Sequence, residues 1–249
     1  MTPPLPPRFL DPGHVAHRGL HGPGRPENTL AAFDAACEGG YAIELDVQPS
    51  ADGVAMAFHD ATLDRMTERR GPVARLTAAA LRRVAVGGTD QVVPSLRDAL
   101  DRIAERVPVL IELKDQHGAM GPTDGRLERA VAAALGGYRG DVAVMSFNPH
   151  AVALLARLLP DTPRGRVTAR FDAEHWPDLP ADVRAHLGTL PDMEGAAFLS
   201  HQADALDMPR VAELRAAGRP VLCWTIRSAE DEARARRLAD AVTFEGYLP

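Results

Sequence analysis

The chain has 249 residues, 45% hydrophobic and 25% charged, with a formal net charge of −6. These proportions are ordinary for a globular chain with a large core, and the acidic balance excludes the basic footprint that nucleic-acid binding demands. Two cysteines, Cys37 and Cys223, make neither a disulfide framework nor a zinc cluster and read as buried small hydrophobes.

The opening MTPPLPPRFLDPG lacks the apolar run of a secretory signal, and no later run approaches the roughly 18 apolar residues of a membrane span. A cytoplasmic chain without stable membrane anchoring is expected. HVAHR at 14–18 reads as a strand with His17 and Arg18 at its carboxyl end. Pro26 suits the first turn of a following helix, with Glu27 at its positive end and Gly39–Gly40 closing it.

The stretch Ala42 to Asp60 organises the chain. Ile43, Leu45 and Val47 alternate with Glu44, Asp46 and Gln48, and period-two alternation sets both carboxylates on one face. A solvated strand face is the plain alternative. A turn at Ser50–Gly53 and a return strand at Val54–Phe58 deliver His59 to the end of the run.

The pattern then loosens, and residues 61–93 read as an insertion with a short helical turn within Leu76–Val84. Its arginines, Arg65 to Arg83, read as a solvated face because Asp64 and Glu68 interleave with them. A helix runs from about Ser95. Val107–Leu113 is an apolar strand that places Glu112 and Lys114 on one face. Alternation continues with helix Arg126–Leu135, strand Val142–Phe147, helix His150–Leu159, strand Arg164–Thr168, helix Ala181–Leu187, strand Ala196–Ser200, helix Pro209–Ala217, strand Pro220–Ile226, helix Ala229–Leu238 and strand Ala241–Phe244.

Near-continuous apolar strands separated by helices predict parallel pairing with both faces covered. The expected fold is α/β, a distorted (β/α)8 barrel forming one domain over 1–249, with an open doubly wound sheet as the alternative. His17, Arg18, Glu44, Asp46, Glu112, Lys114, Ser146 and Trp224 all fall near carboxyl ends of strands, where such barrels carry their active sites. So little chain follows Phe244 that an eighth outer helix is not expected.

Positive charge is supplied almost wholly by arginine: of 28 Lys+Arg, Lys114 is the one lysine. A guanidinium fork does not replace a compact ammonium, which marks Lys114 as a candidate functional residue against chance composition.

HRG at 17–19, PENT at 26–29, ELD at 44–46, DG at 52–53, HD at 59–60, PSL at 94–96, ELK at 112–114, SF at 146–147 and WT at 224–225, in that order and spacing, resemble the glycerophosphodiester phosphodiesterase family. The resemblance implies a barrel that hydrolyses glycerophosphodiesters, as small-molecule substrates, to sn-glycerol 3-phosphate and an alcohol with a divalent cation. By position, Glu44, Asp46 and Glu112 would hold Mg²⁺ or Ca²⁺, and His17 and His59 would be the acid/base pair. Arg18 and Lys114 would contact the phosphate. Trp224 reads as a wall of the pocket, with a plain core role as the alternative. In the family's usual mechanism, the base corresponding to His17 deprotonates the glycerol 2-hydroxyl, which attacks phosphorus to give a cyclic phosphate that water then opens.

The chain departs from the family at WTIR (224–227) and FEG (244–246), where WTVN and TD are common, and an Arg227–Glu245 pair is expected to replace them. Glu27 reads equally as a helix-start carboxylate or a site residue. Ser146 lacks a nucleophile elbow and reads as a supporting hydroxyl. The remaining histidines, His14, His21, His117, His150, His175, His186 and His201, read as surface or structural, with His21, in the loop after His17, kept as the exception. The competing functions are a lysophospholipase D or phospholipase-type phosphodiesterase on lipid substrates, and a catalytically idle barrel that binds phosphorylated metabolites.

Overall fold

Apolar strands alternate with short amphipathic helices through the whole chain. A computed structural model describes residues 2–191, 193 and 195–249. Two compact units are distinguished, Val15–Lys114 with Gly125–Val142, and Met1–His14 with Asp115–Asp124 and Ala143–Pro249.

The first unit holds most of β1 (His14–Ala16), then α1 (Leu30–Glu38), β2 (Ala42–Pro49), β3 (Ala55–Ala57), α2 (Ala78–Leu81), α3 (Leu96–Ile103), β4 (Val109–Leu113) and α4 (Arg126–Leu135). β2 pairs parallel with β1 and β4 and antiparallel with β3. Residues Ala42–Gln48 of β2 are buried on both faces, so Glu44 and Asp46 do not lie on a wet strand face. Ser95 and Asp98 form a reciprocal capping box at α3, and Leu96, Ala99, Leu100 and Ile103 bury the stripe expected of a helix facing a core.

The other unit holds most of β5 (Val142–Ser146), then α5 (Pro149–Leu158), β6 (Arg164–Thr168), α6 (Ala181–Leu187), β7 (Phe198–Gln202), α7 (Pro209–Ala216), β8 (Val221–Ile226), α8 (Ala229–Ala235) and β9 (Ala241–Phe244). Its parallel pairings run β5–β6–β7–β8–β9. Asn148 caps α5, its Oδ1 accepting from His150 N at 2.8 Å, and Pro149 occupies the first helical position. Gly165 on β6 is required by close packing, since a Cβ there would sit 2.2 Å from the Phe198 ring.

The strand order is β1-β9-β8-β7-β6-β5-β4-β2-β3, with β1 also beside β2. This cyclic order of eight strands, with β3 as an antiparallel addition, is that of a (β/α)8 barrel. No helix follows β9 among the described residues, and no helix among them is long and apolar enough to cross a membrane.

The expected boundaries need several corrections. β1 ends at Ala16, so His17 and Arg18 lie in the turn beyond it. α1 begins at Leu30 rather than near Pro26, because Asn28 adopts a left-handed φ of 55° and the Thr29 hydroxyl donates back to Pro26 O at 2.6 Å. β7 begins at Phe198 rather than at Ala196. Cys37 is half-buried, whereas Cys223 is buried as expected.

The insertion is not a bare loop. Leu63, Val73, Ala78, Leu81, Val84, Val86 and Val93 bury themselves with Met56 and Phe58 of the return strand in a small core of their own. Arg82 ties this segment to the start of α3 by donating to both carboxylate oxygens of Asp98 at 2.8 Å.

Candidate active site

β2 and β4 are in register with Asp46 beside Glu112, and Glu44 lies on the same face as Asp46. Ligand oxygens of Glu44, Asp46 and Glu112 all fall within 4.8 Å of one another, and the three residues are 2%, 1% and 7% exposed. Three buried carboxylates this close repel, so cationic and hydrogen-bonding partners must offset them.

Lys114, immediately beyond β4, supplies one partner. Its Nζ lies 2.6 Å from Glu112 Oε1 and 3.3 Å from Asp46 Oδ1. Burial alone would lower its pKa, but Glu112 and then Asp46 hold it above the usual lysine value.

Arg18 supplies the other. Its left-handed backbone, φ 55°, turns its N–H onto Glu44 Oε2 at 2.9 Å, while Nε lies 3.3 Å from Asp46 Oδ2. Asn28 holds Asp46 at two points, donating from Nδ2 to Oδ2 at 2.9 Å and accepting the Asp46 backbone N–H at 3.1 Å.

The resulting electrostatics are uneven. Burial, then Asp46 and Glu112, push the Glu44 carboxyl well above its usual range. For Asp46 burial works the same way, but Lys114, then His59 and Arg18, hold it far below. Glu44 Oε1 is buried and accepts no hydrogen bond among the described residues. A set of hard oxygens with one oxygen left without a donor fits a divalent cation that prefers oxygen ligands.

His59 leaves β3 in a fixed setting: Gln48 Nε2 donates to its carbonyl at 3.1 Å, and its Nδ1–H donates to Asp60 Oδ1 at 2.6 Å. Burial lowers its pKa, with Asp46 countering in part. Asp60 is held at about 2 against the effect of burial, first by its hydrogen bonds from Arg65 and His59. Arg65 also donates to Glu27 Oε1 at 2.6 Å, and Glu27 accepts from Arg18 Nη1 at 2.8 Å. Arg18, Glu27, Arg65, Asp60 and His59 thus form one chain of charged hydrogen bonds. His17 lies half-buried in the turn between β1 and Arg18.

Seven of the eight candidates, His17, Arg18, Glu44, Asp46, His59, Glu112 and Lys114, therefore belong to one unit. Trp224 belongs to the other, half-buried on β8, where its Nε1–H donates to Ser200 O at 3.2 Å and its ring meets Phe147 edge-on at 5.6 Å. The expected Arg227–Glu245 pair is present, with Nε to Oε1 at 2.8 Å, and Ser146 Oγ accepts from Asn148 N at 3.1 Å.

Three contributors were not assigned roles from sequence: Asn28, Asp60 and Arg65. Asn28 sits in PENT and Asp60 in HD, so the motifs held them, but their partners are defined only by the folded chain. Arg65 is exposed, as the solvated reading of its cluster has it, and in addition pairs with Glu27 and Asp60. Glu27 is no helix-start carboxylate but lies between two arginines.

The family model described as "Glycerophosphoryl diester phosphodiesterase family" matches residues 17–244. A Bacillus altitudinis glycerophosphodiester phosphodiesterase is 28% identical over 200 residues, covering 77% of this chain and 80% of its own length. Among solved structures, an Oleispira antarctica phosphodiesterase in complex with the product sn-glycerol-3-phosphate is 27% identical, with a TM-score of 0.77 over 95% of this chain and 93% of that one. A glycerophosphodiester phosphodiesterase from Agrobacterium tumefaciens is 28% identical, with a TM-score of 0.66 over 93% and 95%.

Proposed function

This chain belongs to the glycerophosphoryl diester phosphodiesterase family, and on that premise we propose that it hydrolyses glycerophosphodiesters to sn-glycerol 3-phosphate and an alcohol, using a divalent cation and a pair of histidines. The observation that carries the reading is the buried triad of Glu44, Asp46 and Glu112 with Lys114 against two of its members. Glu44, Asp46 and Glu112 would hold Mg²⁺ or Ca²⁺, and such an ion, when bound, neutralises the phosphodiester and polarises its phosphoryl oxygen.

The side chains divide the remaining work. Lys114 and Arg18 place positive charge where the phosphoryl oxygens gain negative charge in the transition state. Their carboxylate contacts hold both heads in place before substrate arrives. His17 removes the proton of the substrate's 2-hydroxyl, whose oxygen attacks phosphorus, while His59 protonates the departing alcohol oxygen; water then opens the cyclic phosphate to sn-glycerol 3-phosphate with the two roles reversed. Asp60 accepts from Nδ1–H of His59, leaving Nε2 as the nitrogen that exchanges the proton. Burial favours neutral His59 in the free enzyme, and an approaching phosphodiester anion returns the positive form.

Trp224 is assigned to the substrate pocket as a wall. Arg65 and Glu27 keep Asp60 and Arg18 oriented without touching substrate. A phosphate-binding barrel without turnover is disfavoured, because binding alone needs no imidazole with its tautomer fixed by a carboxylate.

The test is coupled release of sn-glycerol 3-phosphate from glycerophosphocholine, glycerophosphoethanolamine and glycerophosphoglycerol, after EDTA and after restoring Mg²⁺, Ca²⁺ or Mn²⁺. Metal-restored release is expected. Undiminished release in EDTA removes the cation from the reading. Turnover of lysophospholipid alone moves the assignment to a lipid phosphodiesterase.

A further inference from the structure

The second unit carries an arginine floor that the catalytic reading does not use. β6 reads RGRVT, and period two puts Arg164, Arg166 and Thr168 on one face. Arg164 is 7% exposed, a burial that arginine rarely reaches unless paired. Strands of this class normally present valine, isoleucine or leucine to the covering helices. Here the two arginines line a cleft of about 1120 Å³ bordered by α5, α6 and α7, which also takes in Arg210 and Arg219. Asp182, exposed, is the one carboxylate among its described lining residues.

Arg164 gives the sharpest sign. Its Nη2 donates to Thr2 Oγ1 at 3.0 Å, whereas Nε and Nη1, both shut off from solvent, have no hydrogen-bond partner among the described residues. Arg219 repeats the pattern at Nε. Leaving buried charged donors unmade is costly, so such groups are ordinarily satisfied by a partner or a ligand. Burial lowers the pKa of both guanidinium groups, and at Arg219 the charge of Arg210 lowers it further. The nearby Arg210 is itself spoken for, its Nη1 lying 2.9 Å from Glu213 on the surface of α7.

The geometry points to a phosphate-class anion site in this cleft, with Arg164 as its central donor and Arg219 beside it. Guanidinium edges present paired N–H groups that match a tetrahedral oxyanion, and the two charges of Arg164 and Arg219 favour a dianion over a monocarboxylate. The cleft exceeds the size of a bare ion, and Val152, Leu187 and Leu214 on its walls offer apolar contact to an organic portion. The class of ligand is therefore a phosphomonoester, held through its phosphate. None of these residues belongs to the carboxylate set or its hydrogen-bond chain.

The test is titration calorimetry of the full chain with inorganic phosphate, with sn-glycerol 3-phosphate and with acetate, joined to hydrogen exchange of the phosphate-loaded protein. Saturable binding of both phosphates is expected, with slower exchange over 164–168 and 182–187. Arg164→Gln and Arg219→Gln should each weaken that binding at least tenfold while glycerophosphodiester turnover is retained. Tighter binding of the ester than of inorganic phosphate assigns an organic ligand, and equal binding assigns recognition to the phosphate group alone. Arg219, half-buried at the cleft, keeps the test decisive should Arg164→Gln not fold. Protection confined to residues 15–60, acetate binding as tightly as phosphate, or unchanged affinity in Arg219→Gln would each overturn the site.

Discussion

Asn28 grips Asp46 from both sides of its amide, donating to Oδ2 at 2.9 Å and accepting the Asp46 backbone N–H at 3.1 Å. A side chain that orients a carboxylate in this way acts on whatever the carboxylate holds. Asn28→Ala is expected to weaken Mn²⁺ binding by about 10- to 100-fold, the usual effect of removing a group that orients a metal ligand. Isothermal titration checks it, and unchanged affinity with lost activity would mean that Asn28 serves the substrate instead.

Lys114 is the next test. Lys114→Met removes the charge that lies against Glu112 and Asp46, and turnover should fall by about 10²- to 10³-fold, the scale of losing one electrostatic donor. Lys114→Arg should not restore it, because the planar fork cannot place one compact charge 2.6 Å and 3.3 Å from two different carboxylates. Near-normal rates in the arginine variant would reduce Lys114 to a generic cation.

His17→Ala and His59→Ala are each expected to lower kcat by at least about a hundredfold, as loss of acid/base catalysis does, while the circular dichroism spectrum persists. Asp60→Ala should lower kcat with KM little changed, since it frees the His59 ring that Asp60 orients through Nδ1–H. Because Asp60 titrates at about 2, its pair with His59 stays intact throughout an assay from pH 5 to 9, and the Asp60→Ala loss should be constant across that range. A loss confined to one limb of the pH profile would contradict the orienting role.

Stability should also report one buried imidazole. His201 is fully buried on β7, with Nδ1 accepting from the Thr168 hydroxyl at 2.7 Å and Nε2–H donating to Ala205 O at 3.1 Å. Burial pushes its pKa down to about 4, so the unfolded chain takes up a proton near pH 6.5 that the folded chain refuses until pH 4. Stability is full above about pH 6.5 and falls as the pH drops toward 4, by on the order of 3 kcal/mol from this residue. Urea midpoints from pH 7.5 to 4 should therefore fall more steeply in the wild type than in His201→Gln. Parallel curves would locate acid sensitivity elsewhere.

Period two within β2 made the Glu44–Asp46 face legible in the sequence, and the same rule joined Glu112 to Lys114. What periodicity could not supply was the register between the two strands, since the step that brings Asp46 beside Glu112 is a pairing choice between segments far apart in the chain. Helix starts were legible at Ser95 and Pro209, because helix starts are local chemistry, whereas Pro26 misplaced the start of α1, which lies at Leu30. Asn28 was hidden because its partner is a strand residue 18 positions away, a contact that no local pattern shows. Arg65 is solvated as its charge spacing suggests, but that spacing cannot show that the insertion folds over its own core and brings this arginine to Asp60 and Glu27.

Lys114 has a consequence for chemistry applied from outside. It carries the chain's one ε-amine, its side chain is 17% exposed, and two carboxylates hold it protonated. An acylating reagent attacks only the neutral amine, so the surface offers such a reagent no lysine to consume, and the slow modification of this single residue becomes a clock for how often the carboxylate pocket loosens its grip.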